Sequence, residues 1–230
     1  MNESAAREEI CRVGRSLFER GYVHATAGNI SVRLDDEEGG GFLITPTDAC
    51  LGYLQPERLA RLDARGTQLT GDRASKTIAL HRRIYDASRA TTAPARCVIH
   101  THSTHCVALT LTGKVSAPPA ERELLPAITP YFVMKVGHVP VAAYALPGSP
   151  ITADCVESLI AQYAERGTPI RAVMLERLGP NVWHDTPAAA MATLEELEET
   201  AALAVLAGPD TPMLDAEHIE ALRATFGAIW

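Results

Sequence analysis

"CVIHTHSTHCVALTL", residues 97–111, holds three of the chain's eight histidines within six residues. A β-rich apolar run, Cys97-Val98-Ile99, leads directly into His100-Thr101-His102. Residues two apart in a strand point to the same face, so His100 and His102 aim two imidazoles at one point. The following segment, residues 103–111, begins a helix with Ser103 placed as its cap. Two neutral imidazoles suit a divalent transition metal, and a stable site needs a third protein ligand. The competing reading is a pair of hydrogen-bonded histidines at a strand end. His105, already in the helix, fits a supporting or structural role. The residues around the pair have to decide.

Outward from this stretch the pattern is that of a mixed α/β chain. Residues 8–20 read as an amphipathic helix, with Ile10, Val13 and Leu17 at helical spacing and Gly21 closing it. Strands around 30–34 and 42–45 flank an acidic, Gly-rich turn, which makes a hairpin. Residues 73–90 read as a helix that buries Ile78, Leu80, Ile84 and Tyr85. Residues 137–150 are extended with proline punctuation, and 154–166 are helical. Two short strands surround a turn at Gly179-Pro180, and a long helix from 187 stops at Gly208. Hairpins outnumber βαβ crossovers, so the expected architecture is α/β with a mostly antiparallel sheet. No repeat or linker divides residues 1–230, which are read as one domain.

Composition excludes several classes of function. Apolar residues make up 47% and charged residues 21%, with a formal charge of −7 and no basic stripe, which argues against a nucleic-acid partner. No apolar run reaches the length of a membrane span. The polar N-terminus does not resemble a secretory signal. Five cysteines without a CxxC pair indicate buried, reduced thiols. The expected compartment is the cytoplasm.

Several longer stretches carry a family resemblance. "GYVHATAGNISVRL", "FLITPTDACLGYL", "SKTIALHRRIYDASRATTAPARCVIHTHSTHCVAL", "LLPAITPYFVMKVGHVPVAAYALPGSP" and "LEELEETAAL" occur in the order and spacing of the class II aldolase/adducin superfamily. "HSTHCVAL", "TPYFVMKVG" and the lysine of "SKT" most resemble its 3-oxo-tetronate 4-phosphate decarboxylase branch. The resemblance implies a three-layer α/β/α sandwich around a mostly antiparallel sheet, assembled as a homotetramer with sites at subunit interfaces. It implies a divalent metal, zinc first and Mn, Co or Fe next, with His100 and His102 as two of its three histidine ligands. It implies a carbon–carbon lyase, decarboxylase or aldolase in type, acting on a small hydroxylated keto acid. In such a reaction the ion stabilises the enediolate left when the bond breaks.

Two positions depart from the family pattern. Leu178 stands where the third histidine belongs, and Thr77 replaces the acid/base glutamate four residues before His81. Glu176, two residues before Leu178, is a candidate replacement ligand if both lie on a strand, and His184 is another. An iron-type site of two histidines and a carboxylate, a metal-free pocket and a non-catalytic assembly module are the alternatives. Decarboxylation of a β-keto acid needs an electron sink and a proton donor, so losing the glutamate damages a retro-aldol reaction more. Lys76 offers a cation to the carboxylate, the enolate oxygen or a phosphate, and Tyr131 a proton. Gly28, Asn29, Thr47 and Ser75 match the family's phosphate-binding positions, where small-residue amides and hydroxyls form an anion nest. Asp48, beside Thr47, sets a negative charge against a phosphate and leaves a non-phosphorylated acid open.

Overall fold

The computed structural model describes residues 2–111 and 122–230; Lys114 lies outside them. Eight strands form one sheet: β1 (Asn29–Arg33), β2 (Phe42–Ile44), β3 (Ala60–Leu62), β4 (Gln68–Thr70), β5 (Cys97–His100), β6 (Val141–Ala142), β7 (Ala172–Leu175) and β8 (Gly179–His184). Their spatial order is β4-β3-β2-β1-β5-β8-β7-β6. Every neighbouring pair is antiparallel except β6 with β7.

Strand alternation sorts the side chains into two cores. Ile30 and Val32 of β1, Cys97 and Ile99 of β5 and Val182 of β8 enter the larger core. That core is covered by α1 (Glu3–Glu19), α3 (Thr104–Leu111), α4 (Pro130–Lys135) and α6 (Pro187–Ala207). On the opposite face Val98 and Trp183 join α2 (Ile78–Ser88) and α5 (Pro150–Glu165). The expected three-layer α/β/α sandwich is therefore the observed one. A last helix, α7 (Ala216–Phe226), buries none of its residues fully. Among the described residues no helix is long and apolar enough to cross a membrane.

Several local expectations need correction. The helix expected from residue 73 begins at Ile78, because residues 73–75 run extended against the 45–47 loop. Thr47 N–H donates to the Arg73 carbonyl at 2.8 Å, and Ser75 N–H to that of Thr45 at 3.2 Å. The turn between β7 and β8 falls at residues 176–178, with Arg177 left-handed at φ 65°, and Gly179-Pro180 already belongs to β8. The amides at the start of α3 are not served by the Ser103 hydroxyl. The Glu198 carboxylate of α6 accepts from His105 N–H at 2.9 Å and Cys106 N–H at 3.1 Å. A negative group there also complements the helix dipole. The short strands β3 and β4 and the helix α7 have no counterpart in the sequence reading.

Candidate functional site

The site grows from the end of β5. His100 pairs in register with Asn29 of β1 on one side and Asn181 of β8 on the other. Alternation turns all three toward α2, because their neighbours Ile99, Ile30 and Val182 point into the opposite core. Nδ1 of His100 lies 3.0 Å from the Pro180 carbonyl. A carbonyl only accepts, so Nδ1 carries the proton and Nε2 presents a lone pair, the tautomer that metal-binding histidines adopt. His102 follows past the strand end, and its ring centroid is 5.0 Å from that of His100. Two imidazoles sharing a tetrahedral ion through metal–nitrogen bonds of about 2 Å have centroids about 5 Å apart. The pair has the spacing of two imidazoles on one divalent ion.

Two further histidines flank the pair. The ring of His24, in the exposed turn before β1, stands 6.4 Å from that of His102. His81 of α2 is fully buried on the other side, with Nδ1 2.7 Å from the Ser31 hydroxyl, which in turn lies 2.7 Å from the Tyr85 hydroxyl. Burial, reinforced by each neighbouring histidine, pushes His81 down to about 3 and His100 down to about 4. Burial first and His24 second also lower His102. These three rings are neutral at physiological pH, as ligation requires. Buried polar atoms without a protein partner gather here as well: Asn29 Oδ1, His81 Nε2 and both amide atoms of Asn181. Such atoms are costly unless water or a ligand meets them.

The expected anion-binding positions adjoin this end of β5. Thr77 Oγ1 accepts from the Asn29 amide at 3.3 Å and from the Ser75 hydroxyl at 3.2 Å. The residue standing in for the glutamate thus ties two of these positions together. Gly28 sits at φ 83°, and a Cβ there would lie 2.9 Å from the His100 carbonyl, so only glycine allows this approach. Thr47 borders a cleft of about 470 Å³ whose walls include Asp48, Arg58 and Arg73, and no histidine is among its lining residues. Asp48 adopts φ 57°. Lys76 is exposed. Tyr131 lies in α4, 59% exposed, and that helix packs on the sheet face opposite the one to which His100 points.

The third-ligand position is apolar. Leu178 packs against the hydrocarbon of the α2/α5 core. Glu176 does not turn inward: Arg122 donates to Oε1 at 3.1 Å, and the Tyr144 N–H donates to Oε2 at 3.0 Å. The alternation argument fails for this residue because it sits in the hairpin turn and not on a strand. His184 pairs with Cys97, at the other end of β5 from His100, and bonds to Asp185. Neither substitute reaches the pair. With the rings as they stand, no three His, Cys, Asp or Glu among the described residues converge on one ion.

The hairpin nevertheless supports the pair through its backbone. A Cβ on Gly179, at φ 135°, would lie 1.9 Å from the Thr101 carbonyl. Beyond the carbonyl of Pro180, the sequence reading also missed His24, Asn181 and Glu198. His24 and Glu198 lie within stretches that carry the family resemblance, yet nothing in those stretches assigns them a role. Only the register, the turn and the packing of α6 bring them in.

Residues 8–205 match the Class II Aldolase and Adducin N-terminal domain. The chain is 49% identical to a 3-oxo-tetronate 4-phosphate decarboxylase of Cupriavidus necator, over 99% of both chains. It is 38% identical to the protein of the same name from Escherichia coli, over 96% of this chain and 97% of the other. The crystal structure of YgbL from Klebsiella pneumoniae superposes with a TM-score of 0.82 at 37% identity, covering 97% of this chain and 100% of that one.

Proposed function

The chain belongs to the class II aldolase and adducin family, and on that premise we propose that it decarboxylates a 3-oxo-tetronate 4-phosphate. It is a carbon–carbon lyase. In such a substrate the carboxylate is C1, the ketone is C3 and the phosphate hangs from C4. The C1–C2 bond breaks, carbon dioxide leaves, and its electron pair delocalises onto the C3 oxygen until C2 takes up a proton. The product is a three-carbon hydroxyketone phosphate.

The observation that carries this reading is the pairing, at one end of β5, of neutral imidazoles with the Asn29–Thr77–Ser75 network, none of them hydrogen-bonded to a carboxylate among the described residues. A site with no carboxylate base suits a reaction that needs only an electron sink and a proton donor. His100 and His102 would hold the divalent ion, zinc first, which supplies positive charge beside the oxygen on which the electron pair gathers. The second amide hydrogen of Asn29 would meet a phosphate oxygen, joined by the Ser75 and Thr47 hydroxyls and the amide at Gly28, with the Ser75 hydroxyl turning from Thr77 to donate. Lys76, exposed and one residue from Ser75, adds a cation there or at the carboxylate. Tyr131 serves as proton donor only from a neighbouring copy, since its own helix covers the other face of the sheet. That requirement favours the homotetramer. We read residues 1–230 as one domain working in the cytoplasm on carbohydrate-derived acids.

Carbon dioxide release from synthetic 3-oxo-tetronate 4-phosphate tests the reading. Stoichiometric release with the triose phosphate is expected, and His100→Ala is expected to lower kcat/KM by at least about 100-fold. Cleavage of a sugar phosphate to two aldehydic or ketonic fragments, without carbon dioxide, overturns it.

A further inference from the structure

We propose that Trp230, seated between His138 and Phe132, is a latch that positions α4, and that a proton on His138 tightens it. The Trp230 ring stacks on that of His138, with centroids 4.3 Å and planes 24° apart. It meets the Phe132 ring edge-on at 5.7 Å. Phe132 is fully buried in α4 and directly follows Tyr131. Residues 214–230 lie along α4 and are pinned at both ends. Leu214 N–H donates to the Ala127 carbonyl at 2.8 Å, and the Trp230 ring closes the other end. Between these pins α7 buries none of its residues fully, so the grip is concentrated at the ends.

Charged and titratable groups surround His138 from three elements. The Glu123 carboxylate faces it, with His138 Nδ1 2.8 Å from Oε1 and 3.0 Å from Oε2. Backbone bonds fix that carboxylate beside the ring: Leu124 N–H donates to the Val139 carbonyl at 2.9 Å, and Val141 N–H to that of Arg122 at 2.8 Å. The Arg122 side chain is itself engaged with Glu176. From α5 the Tyr163 hydroxyl donates to Glu123 Oε1 at 2.8 Å, and its ring lies 5.5 Å from that of His138. Arg166 stands over the Tyr163 ring at 5.2 Å. From α7 Arg223 donates to the main-chain oxygen of Trp230, and in α4 Lys135 is exposed. Burial first, and Glu123 second, hold the Tyr163 hydroxyl well above its ordinary value, so it remains a donor to Glu123.

Imidazole is the side chain whose ordinary titration falls between about pH 5 and 8. Neutral, the His138 ring offers the indole only a stacking surface. Charged, it meets the indole as a cation, well inside the about 6 Å over which an aromatic face attracts one. Only contacts made in the closed state can shift the latch. The cation–π contact exists only then, whereas the Glu123 bond persists with the latch open and serves to hold the ring in place. The latch therefore closes as pH falls through the titration of His138 and loosens as pH rises. The decarboxylase reading enters only through turnover: a loose latch frees α4 and with it Tyr131, so kcat falls and KM holds.

Acrylamide quenching of tryptophan fluorescence reads the latch, because the other tryptophan, Trp183, is fully buried. Trp230→Phe supplies the Trp183 background. Quenching of Trp230 is expected to rise about threefold with pH, through a one-proton titration between about pH 5 and 8. His138→Gln is expected to stay open across that range, and His138→Arg, a permanent cation, to stay closed. Thermal unfolding checks that both variants fold, and the parent's own titration decides even where one does not. Constant quenching in the parent overturns the proposal, as does a pH dependence that persists in His138→Gln. A lower kcat at unchanged KM in His138→Gln than in His138→Arg, at the alkaline end, supports the positioning of α4, and equal kcat values overturn it. A titrating latch without carbon dioxide release supports the latch and overturns the reaction. Release with constant quenching does the reverse.

Discussion

The two sides of the site contribute to it differently. On the β1/β5 side, side chains do the work: His100, His102, Asn29, Ser75 and Thr77 are tied to one another or to the sheet. On the β7–β8 hairpin the side chains of Glu176 and Leu178 point away from the pair. Leu178 packs on hydrocarbon and Glu176 pairs with Arg122, yet the Pro180 carbonyl still orients His100, and Gly179 still admits the Thr101 carbonyl. A hairpin can therefore support a site through its backbone while its side chains face elsewhere. The backbone constrains the fold whether or not a metal is bound, whereas a ligand side chain matters only to the ion.

The sharpest way to break this comparison is Gly179→Val. A Cβ 1.9 Å from a backbone oxygen at φ 135° cannot be relieved by a rotamer change, so a loss of more than about 4 kcal/mol in urea unfolding is expected. A stable variant with native activity would show the hairpin backbone to be dispensable. Next in size is Glu198→Ala. It strips the acceptor from two amides of α3, two residues beyond His102, and is expected to cost about 3 kcal/mol. Retained stability would mean that another group caps the helix.

The β1/β5 side also carries an acid-sensitivity seated in a fully buried imidazole. Burial lowers His81 from 6.5 to about 3, so between those values the unfolded chain binds a proton that the folded chain refuses. Stability from this residue is complete well above pH 6.5 and falls as pH drops toward about 3. Between pH 6.5 and 4.5, largely above carboxylate titration, the loss is about 2 kcal/mol for one such group. His81→Gln is expected to flatten that part of the stability profile, and an unchanged slope would mean that His81 is not the group responsible. The smallest effect belongs to Glu176→Ala, at most about 1 kcal/mol on unfolding, because the pair it breaks is partly solvated. Zn²⁺ affinity is expected to be unaltered, and a drop of tenfold or more would restore Glu176 as a ligand.

Much of this was legible before any coordinates. The alternation of Cys97, Val98, Ile99 and His100 placed His100 on the face opposite Ile99, and β5 obeys it. The departures at Leu178 and Thr77 were equally plain. What the linear pattern misjudged was local geometry. Helical composition across 73–77 gave way to pairing with the 45–47 loop, and "ERLGP" put its turn three residues earlier than Gly-Pro suggested. His24 and Glu198 were invisible because their significance lies in what they face.

Residue order alone therefore determined the mixed α/β class, the mostly antiparallel sheet and the face to which His100 points, because period and alternation follow from chain geometry and act over a few neighbours; His102, expected on the same strand, lies just past its end. Only the tertiary structure decided which donors meet: that Glu176 turns to Arg122, that Thr77 joins Asn29 to Ser75, and that His24 stands beside His102. Apart from the local bond between Thr77 and Ser75, those encounters span from 48 to 78 residues of sequence, and they depend on register and turn conformation, which no short window of residues encodes.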